Sequence, residues 1–368
     1  MLLKHAYAAR LDLAREGHRD GAGVVGLIGN TIPVELVLAC GRVPTLVTAD
    51  RSRPTPEAAV YMEDIISPET RALFESAATG ALEFLDLLVL SRPYAQLYYY
   101  LKEVQRLGRG RRFPELHMFD LMQSQREAVR AYNWSRFEAL IARLERLGGS
   151  EITERRLRDA IALTNTVRGL QRRLIELRFQ AALSGVDALI ALGAAYFLAP
   201  EPYAVGLEQY LSTLASAARL ENRPRLLVIT SEPLSHTSLH AALEEAGALV
   251  IAEDDWWGSR APGPDVPLAG SAREAIFRKY WLDTPSAGVY PAAAREEWLR
   301  ESALRPEVAG IVFYLPPSDH QLGWDYPRLK SWLAARDKPA LLLREDATTP
   351  DGFSAIRSHA RRFVEDLA

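Results

Sequence analysis

The residues best placed to do chemistry fall in three groups. Within Gly23 to Pro44, GVVGLIGNTIPVELVLACGRVP, an apolar run is followed by a turn and then by Pro33 and Glu35. Asn30 or Thr31 can cap the helix that starts there, because a short polar side chain accepts from an orphan backbone N–H. Glu35 then sits in the first turn, where the positive end of the helix dipole favours a carboxylate. Asp254 and Asp255 end an apolar stretch that reads as a strand. Such strand ends are where α/β proteins place functional groups, and both aspartates are equally suited to capping the turn that follows. His236 and His240 lie four apart on a helical stretch, the spacing that puts two imidazoles on one face; without a third ligand they read as surface histidines. Ser67 and Ser91 stand at helix starts and read first as caps. No G-x-G-x-x-G after a strand, Walker loop, G-x-S-x-G elbow or H-E-x-x-H occurs.

The elements that must position these groups follow from hydrophobic periodicity. Val24, Val25, Leu27 and Ile28 form a run that can be buried on both faces, as a central parallel strand requires. With the helix after Pro33, ended by Gly41, and the apolar run Pro44 to Ala49, this makes a strand–helix–strand unit of a doubly wound sheet. An amphipathic helix over the first eighteen residues leads into it. Strands at Leu85–Leu90 and Glu115–Leu121, with helices opening at Ser67 and Pro93, complete a first α/β domain, residues 1–122. Ser124–Gly148 and Thr153–Leu183 form a long helical hairpin, 123–185, whose arginine-rich face reads as solvated. Strands at Arg225–Thr230, Ala248–Ala252, Gly310–Leu315 and Pro339–Leu343 alternate with helices in a second α/β domain, 186–368. The predicted fold class is therefore α/β: two Rossmann- or flavodoxin-like parallel-sheet domains with a helical insert. Trp256 and Trp257 either line a cleft or fill the domain boundary.

Composition narrows the function classes. The 368 residues are 48% hydrophobic and 25% charged, with a net charge of −3, so bulk attraction to nucleic acid or an anionic membrane is excluded. The basic cluster Arg106, Arg109, Arg111 and Arg112 is broken by glycines and reads as a loop. No apolar run reaches membrane-span length, and the N-terminus lacks the apolar core of a signal peptide. The single cysteine, Cys40, rules out an intrachain disulfide and any multi-cysteine metal site and reads as a buried apolar residue. A cytoplasmic location is expected.

Gly26, Pro33-Val34-Glu35-Leu36, Ala39, Gly41 and Pro44 resemble the opening motif of the 2-hydroxyacyl-CoA dehydratase and benzoyl-CoA reductase family. Asn165 and Arg168 are similar to that family's Asn-x-x-Arg helix. Gly247 to Val250, Asp254-Asp255 and Gly258-Ser259-Arg260 are similar to its central blocks, and Gly310-Ile311-Val312, Asp325-Tyr326-Pro327, Arg357 and Phe363-Val364-Glu365 to its last ones. The resemblance implies two α/β domains holding an iron–sulfur cluster between them through three cysteines, in a heterodimer that dehydrates a 2-hydroxyacyl-CoA or reduces an aromatic acyl-CoA. Here those positions fall on Ser67, Ser91 and, beside a one-residue insertion, Ser318. A serine hydroxyl does not replace a thiolate as a soft iron ligand, so the resemblance implies a chain without its own cluster or other cofactor.

Two function classes are then open. One is a cluster-free subunit that works with a cluster-bearing homologous partner and contributes surface to acyl-CoA binding. The other is a repurposed binding protein whose interdomain cleft, at converging helix N-termini, takes a small anion. The candidate cleft residues are Asn30, Thr31, Glu35, Ser67, Ser91, Asp254, Asp255 and Ser318.

Overall fold

The computed structural model describes residues 1–107, 113–215, 218–220, 223–231, 233–285, 291–317, 319 and 322–367. Ser318 and the glycine-broken part of the basic cluster, 108–112, lie outside the described residues. The chain opens with α1 (Leu2–Ala9), α2 (Leu11–Arg19), β1 (Val24–Ile28), α3 (Val34–Ala39), β2 (Val43–Leu46), α4 (Pro56–Tyr61), α5 (Pro68–Ala78), β3 (Leu87–Ser91), α6 (Ala95–Arg106) and β4 (Glu115–Phe119). The long helices α7 (Glu127–Gly148) and α8 (Glu154–Phe179) follow, then α9 (Gly185–Gly193) and α10 (Pro200–Ala215). The remainder is β5 (Arg225–Ile229), α11 (Ser238–Glu245), β6 (Leu249–Asp254), α12 (Ala272–Leu282), α13 (Ala292–Ala303), β7 (Gly310–Tyr314), α14 (Leu322–Ala334), β8 (Ala340–Leu343) and α15 (Pro350–Leu367).

These strands make two all-parallel sheets of the same plan, β2-β1-β3-β4 and β6-β5-β7-β8. The expected α/β class is what the structure shows. In each sheet the connection reverses direction between the strands that come first and third in sequence, β1 and β3 or β5 and β7, which are neighbours in space, so loops diverge at the carboxyl edge and leave a crevice there. β1, β3, β6 and β7 are buried along their whole length, which is why they read as unbroken apolar runs. Gly26 holds a place in the centre of β1 because a Cβ there would stand 2.5 Å from the Leu85 side chain. Truncating a core strand residue such as Leu88 would cost about 2–5 kcal/mol.

Helix α8 joins the two halves, packing on α3, α12, α10 and β6. Among the described residues no helix is long and apolar enough to cross a membrane. Two details of the sequence pattern are corrected. The N-terminal helix is broken at Arg10, whose φ of 47° is a left-handed value. Its guanidinium lies over the rings of Tyr7, Phe197 and Trp257 and donates to Thr48 Oγ1 (3.2 Å) and the Ser235 carbonyl (2.6 Å). Those tertiary ties outweigh the local preference for a continuous helix. Helices α9 and α12 occupy stretches where periodicity predicts none. α9 is apolar nearly all round, and the charged residues of α12, Arg273, Glu274, Arg278 and Lys279, do not keep to one face, so no polar face marks the period of either.

Candidate functional site

Glu35 is the centre of a buried polar cluster. It lies in the first turn of α3, with no exposed surface, and takes hydrogen bonds from Tyr280 OH (2.8 Å) and Thr164 Oγ1 (3.0 Å) and an ion pair from Arg168. Arg168 also donates to Thr164 Oγ1 (3.1 Å) and Asn165 Oδ1 (2.8 Å), and Asn165 in turn clamps both backbone groups of Val266 at 2.9 Å. The Thr164, Asn165 and Arg168 spacing puts all three on one face of α8. Burial alone would push the Glu35 carboxyl up, but the Arg168 charge and hydrogen bonds, with help from Tyr280, hold it below the usual range. Glu35 is therefore ionised and neutralised by Arg168.

This cluster forms one wall of a cavity of about 170 Å³ between the carboxyl edge of the first sheet and α8, α10 and α12. Its surface is mostly apolar, from Leu27, Ile32, Val34, Leu46, Val167 and Leu198, with a few polar groups at Asn30, Gln171, Lys279 and Thr284. An apolar chamber with a few convergent polar groups is the usual form of a small-molecule site.

The other expected residues are divided between this chamber and its surroundings. Asn30 lines the cavity but donates to the Pro285 carbonyl (2.7 Å) and does not cap α3. Thr31 is buried with its hydroxyl unpartnered among the described residues, and the α3 N-cap is Pro33 with no side-chain cap bond. Ser67 caps α5, accepting from Thr70 N at 3.2 Å, and is exposed. Ser91 is buried and makes no cap bond, because its hydroxyl is packed against Gly29, whose φ of 98° and missing side chain let β1 and β3 approach there. Between Gly29, Glu69, Tyr94 and the two tryptophans only a 20 Å³ void is left. Trp256 lines the cavity, and Trp257 is fully buried.

Asp254 and Asp255 lie at the end of β6, in a separate small pocket with Thr230, Ser231, Arg260 and Arg295. Asp254 pairs with Arg260 (2.7 Å), and Asp255 accepts from Gly258 N (2.7 Å) and Leu234 N (2.6 Å), closing the turn that follows. Burial, reinforced by the Glu253 charge, pushes the Asp255 carboxyl up to about 7. His240 corrects an expectation: it is fully buried, with Nε2 2.6 Å from Glu253 Oε1. Glu253 also pairs with Arg178 of α8 and bonds Ser259 at Oγ (2.9 Å) and N (3.1 Å). Arg168 and Arg178 thus both leave the solvated face that interleaved charges predict for α8.

Residues 30–367 match the family model described as 2-hydroxyglutaryl-CoA dehydratase, D-component. The chain belongs to this dehydratase family. It is similar to the (R)-2-hydroxyglutaryl-CoA dehydratase subunit beta of Acidaminococcus fermentans, 22% identical over 95% of this chain and 93% of the relative. It is also similar to the (R)-phenyllactyl-CoA dehydratase beta subunit of Clostridium sporogenes, 19% identical over 95% and 93%, and to the lactoyl-CoA dehydratase subunit beta of Anaerotignum propionicum, 20% identical over 94% and 92%. In this dehydratase-family chain the cavity residues that sequence reasoning missed are Gln171, Lys279, Tyr280 and Thr284. One signal for α12 was present. Ser271 and Glu274 have the capping-box spacing, and Ser271 Oγ accepts from Glu274 N at 3.4 Å.

Proposed function

We propose that the chain is a subunit of a 2-hydroxyacyl-CoA dehydratase-like heterodimer, without an iron–sulfur cluster of its own, paired with a homologous subunit that bears one. The observation that carries this is the donor set at the positions where the resemblance expects thiolates. Ser67 Oγ is engaged at the start of α5, and Ser91 is packed against Gly29. Hydroxyls in that arrangement do not fit a cluster, which needs thiolate ligands. Cys40 is no substitute, since its Sγ is turned to the Leu144 carbonyl (3.1 Å), and burial raises its pKa and keeps it a thiol. The three relatives named above are all dehydratase subunits, which favours water elimination from a 2-hydroxyacyl-CoA over reduction of an aromatic acyl-CoA. In this reading the chain supplies interface and shape to the acyl-CoA site, and its partner supplies the redox chemistry.

The test is anaerobic purification of the chain alone and together with a co-expressed cysteine-bearing homologue, measuring iron, sulfide and subunit ratio. A one-to-one complex with iron confined to the homologue, active on a 2-hydroxyacyl-CoA only when both chains are present, is expected. Stoichiometric iron in this chain alone would overturn the reading.

A further inference from the structure

Lys279 has no role in anything described above. It is 6% exposed on α12 and lines the cavity, yet among the described residues its ammonium has no hydrogen-bond or ion-pair partner. No acid among the described residues lies within ion-pair distance of it. Glu35 belongs to Arg168, Arg172 binds Asp265 and the Gly263 carbonyl, and half-buried Asp283 at the end of α12 attracts the ammonium only from farther away. Nζ lies against Gly263, and a side chain at that residue would take the amine's space. Burial, with Arg168 adding repulsion, brings the Lys279 pKa down to about 8, so the group is still mostly charged at neutral pH.

A buried cation without a counter-charge at ion-pair distance is costly, and proteins keep one where something else supplies the charge. The remaining walls state what that something is. They are mostly apolar, they border about 170 Å³, and the polar groups they offer include Arg168, Gln171, Tyr280 and Thr284. We propose that this cavity binds a short-chain monocarboxylate, its carboxylate facing Lys279 and its hydrocarbon tail against Leu27, Ile32, Val34, Leu46 and Leu198. A thioester or an amide of the same acid has the tail but not the charge and leaves the ammonium unneutralised. The inference does not depend on the heterodimer, since every residue it uses belongs to this chain.

Calorimetric titration of the purified full chain with butyrate, isovalerate and hexanoate, at neutral pH, tests it. Isovaleramide and the N-acetylcysteamine thioester of isovalerate serve as neutral matches. Saturable binding of at least one acid is expected, with both neutral compounds and the Lys279→Met variant weaker by about tenfold or more. Melting temperatures give a second reading: isovalerate should raise that of the wild type, and without ligand Lys279→Met should melt above it, because the uncompensated charge is gone. The proposal is overturned if no acid binds at millimolar concentration, if amide or thioester binds as well as the acid, if Lys279→Met keeps the affinity, or if that variant melts below the wild type.

Discussion

Two arginines ten residues apart on α8 (178 − 168) reach into opposite halves of the molecule and each meets a buried glutamate. At about 1.5 Å per residue they stand some 15 Å apart along one rigid helix. Around Arg178 every approach is closed. Glu253, His240 and Ser259 surround it without exposed surface to speak of, and the arrangement continues into the Asp254 and Asp255 turn. Around Arg168 the same chemistry borders an open chamber, with Lys279 beside it and apolar walls opposite. The difference separates architecture from function: a polar network closed around a matched Arg178–Glu253 pair holds the fold, whereas one that borders space and has an ammonium without an ion-pair partner is prepared for a guest.

That contrast can be tested by mutation. The largest effect is expected from Arg178→Met, which strands Glu253 in a dry interior and should cost about 3–5 kcal/mol in urea unfolding. Arg168→Met should cost less, about 2–3 kcal/mol, because water entering the chamber can solvate Glu35 and because Tyr280 and Thr164 still donate to it. If the two losses are equal, or reversed, the distinction between sealed and open networks fails. Lys279 gives the third effect. Its folded pKa of about 8 lies below the ordinary 10.5. Between those values the unfolded chain holds the proton and the folded chain does not, so wild-type stability should gain up to about 3 kcal/mol relative to Lys279→Met as pH rises across that window. A pH-independent difference between the two proteins would show that the ammonium is solvated or paired. The smallest change, about 1 kcal/mol, is expected for Thr164→Val, which removes one of the Glu35 donors and leaves the ion pair in place.

The sheet architecture was legible because parallel strands buried on both faces leave continuous apolar runs, and the crossover helices between several of them show clean amphipathic spacing. The site was legible only where function coincides with a local rule. Glu35 was visible as an acid in a first helical turn, and the aspartates as a strand terminus. Their partners were not, since Arg168 sits 133 positions from Glu35 and Tyr280 245 positions away, and nothing in local spacing pairs such residues. The arginines of α8 look like solvated charges because glutamate and aspartate alternate with them; burial of two of them depends on which helix face the two sheets cover. His240 was misread for the same reason: its acid partner lies on a neighbouring strand. Lys279 was hidden inside a helix whose charged residues do not keep to one face, a pattern that carries little directional information.

The kink at Arg10 has a consequence for synthesis. Tyr7 and Arg10 both bond the Ser235 carbonyl, and the first of these contacts spans 228 positions. Tyr7 and Arg10 therefore wait for their docking surface until Ser235 has emerged from the ribosome, and contacts of such long range close late. Whatever holds α1 during that interval guards an exposed apolar face, so a fusion placed ahead of Met1 would be felt first as a delay in maturation rather than as a change in the finished protein.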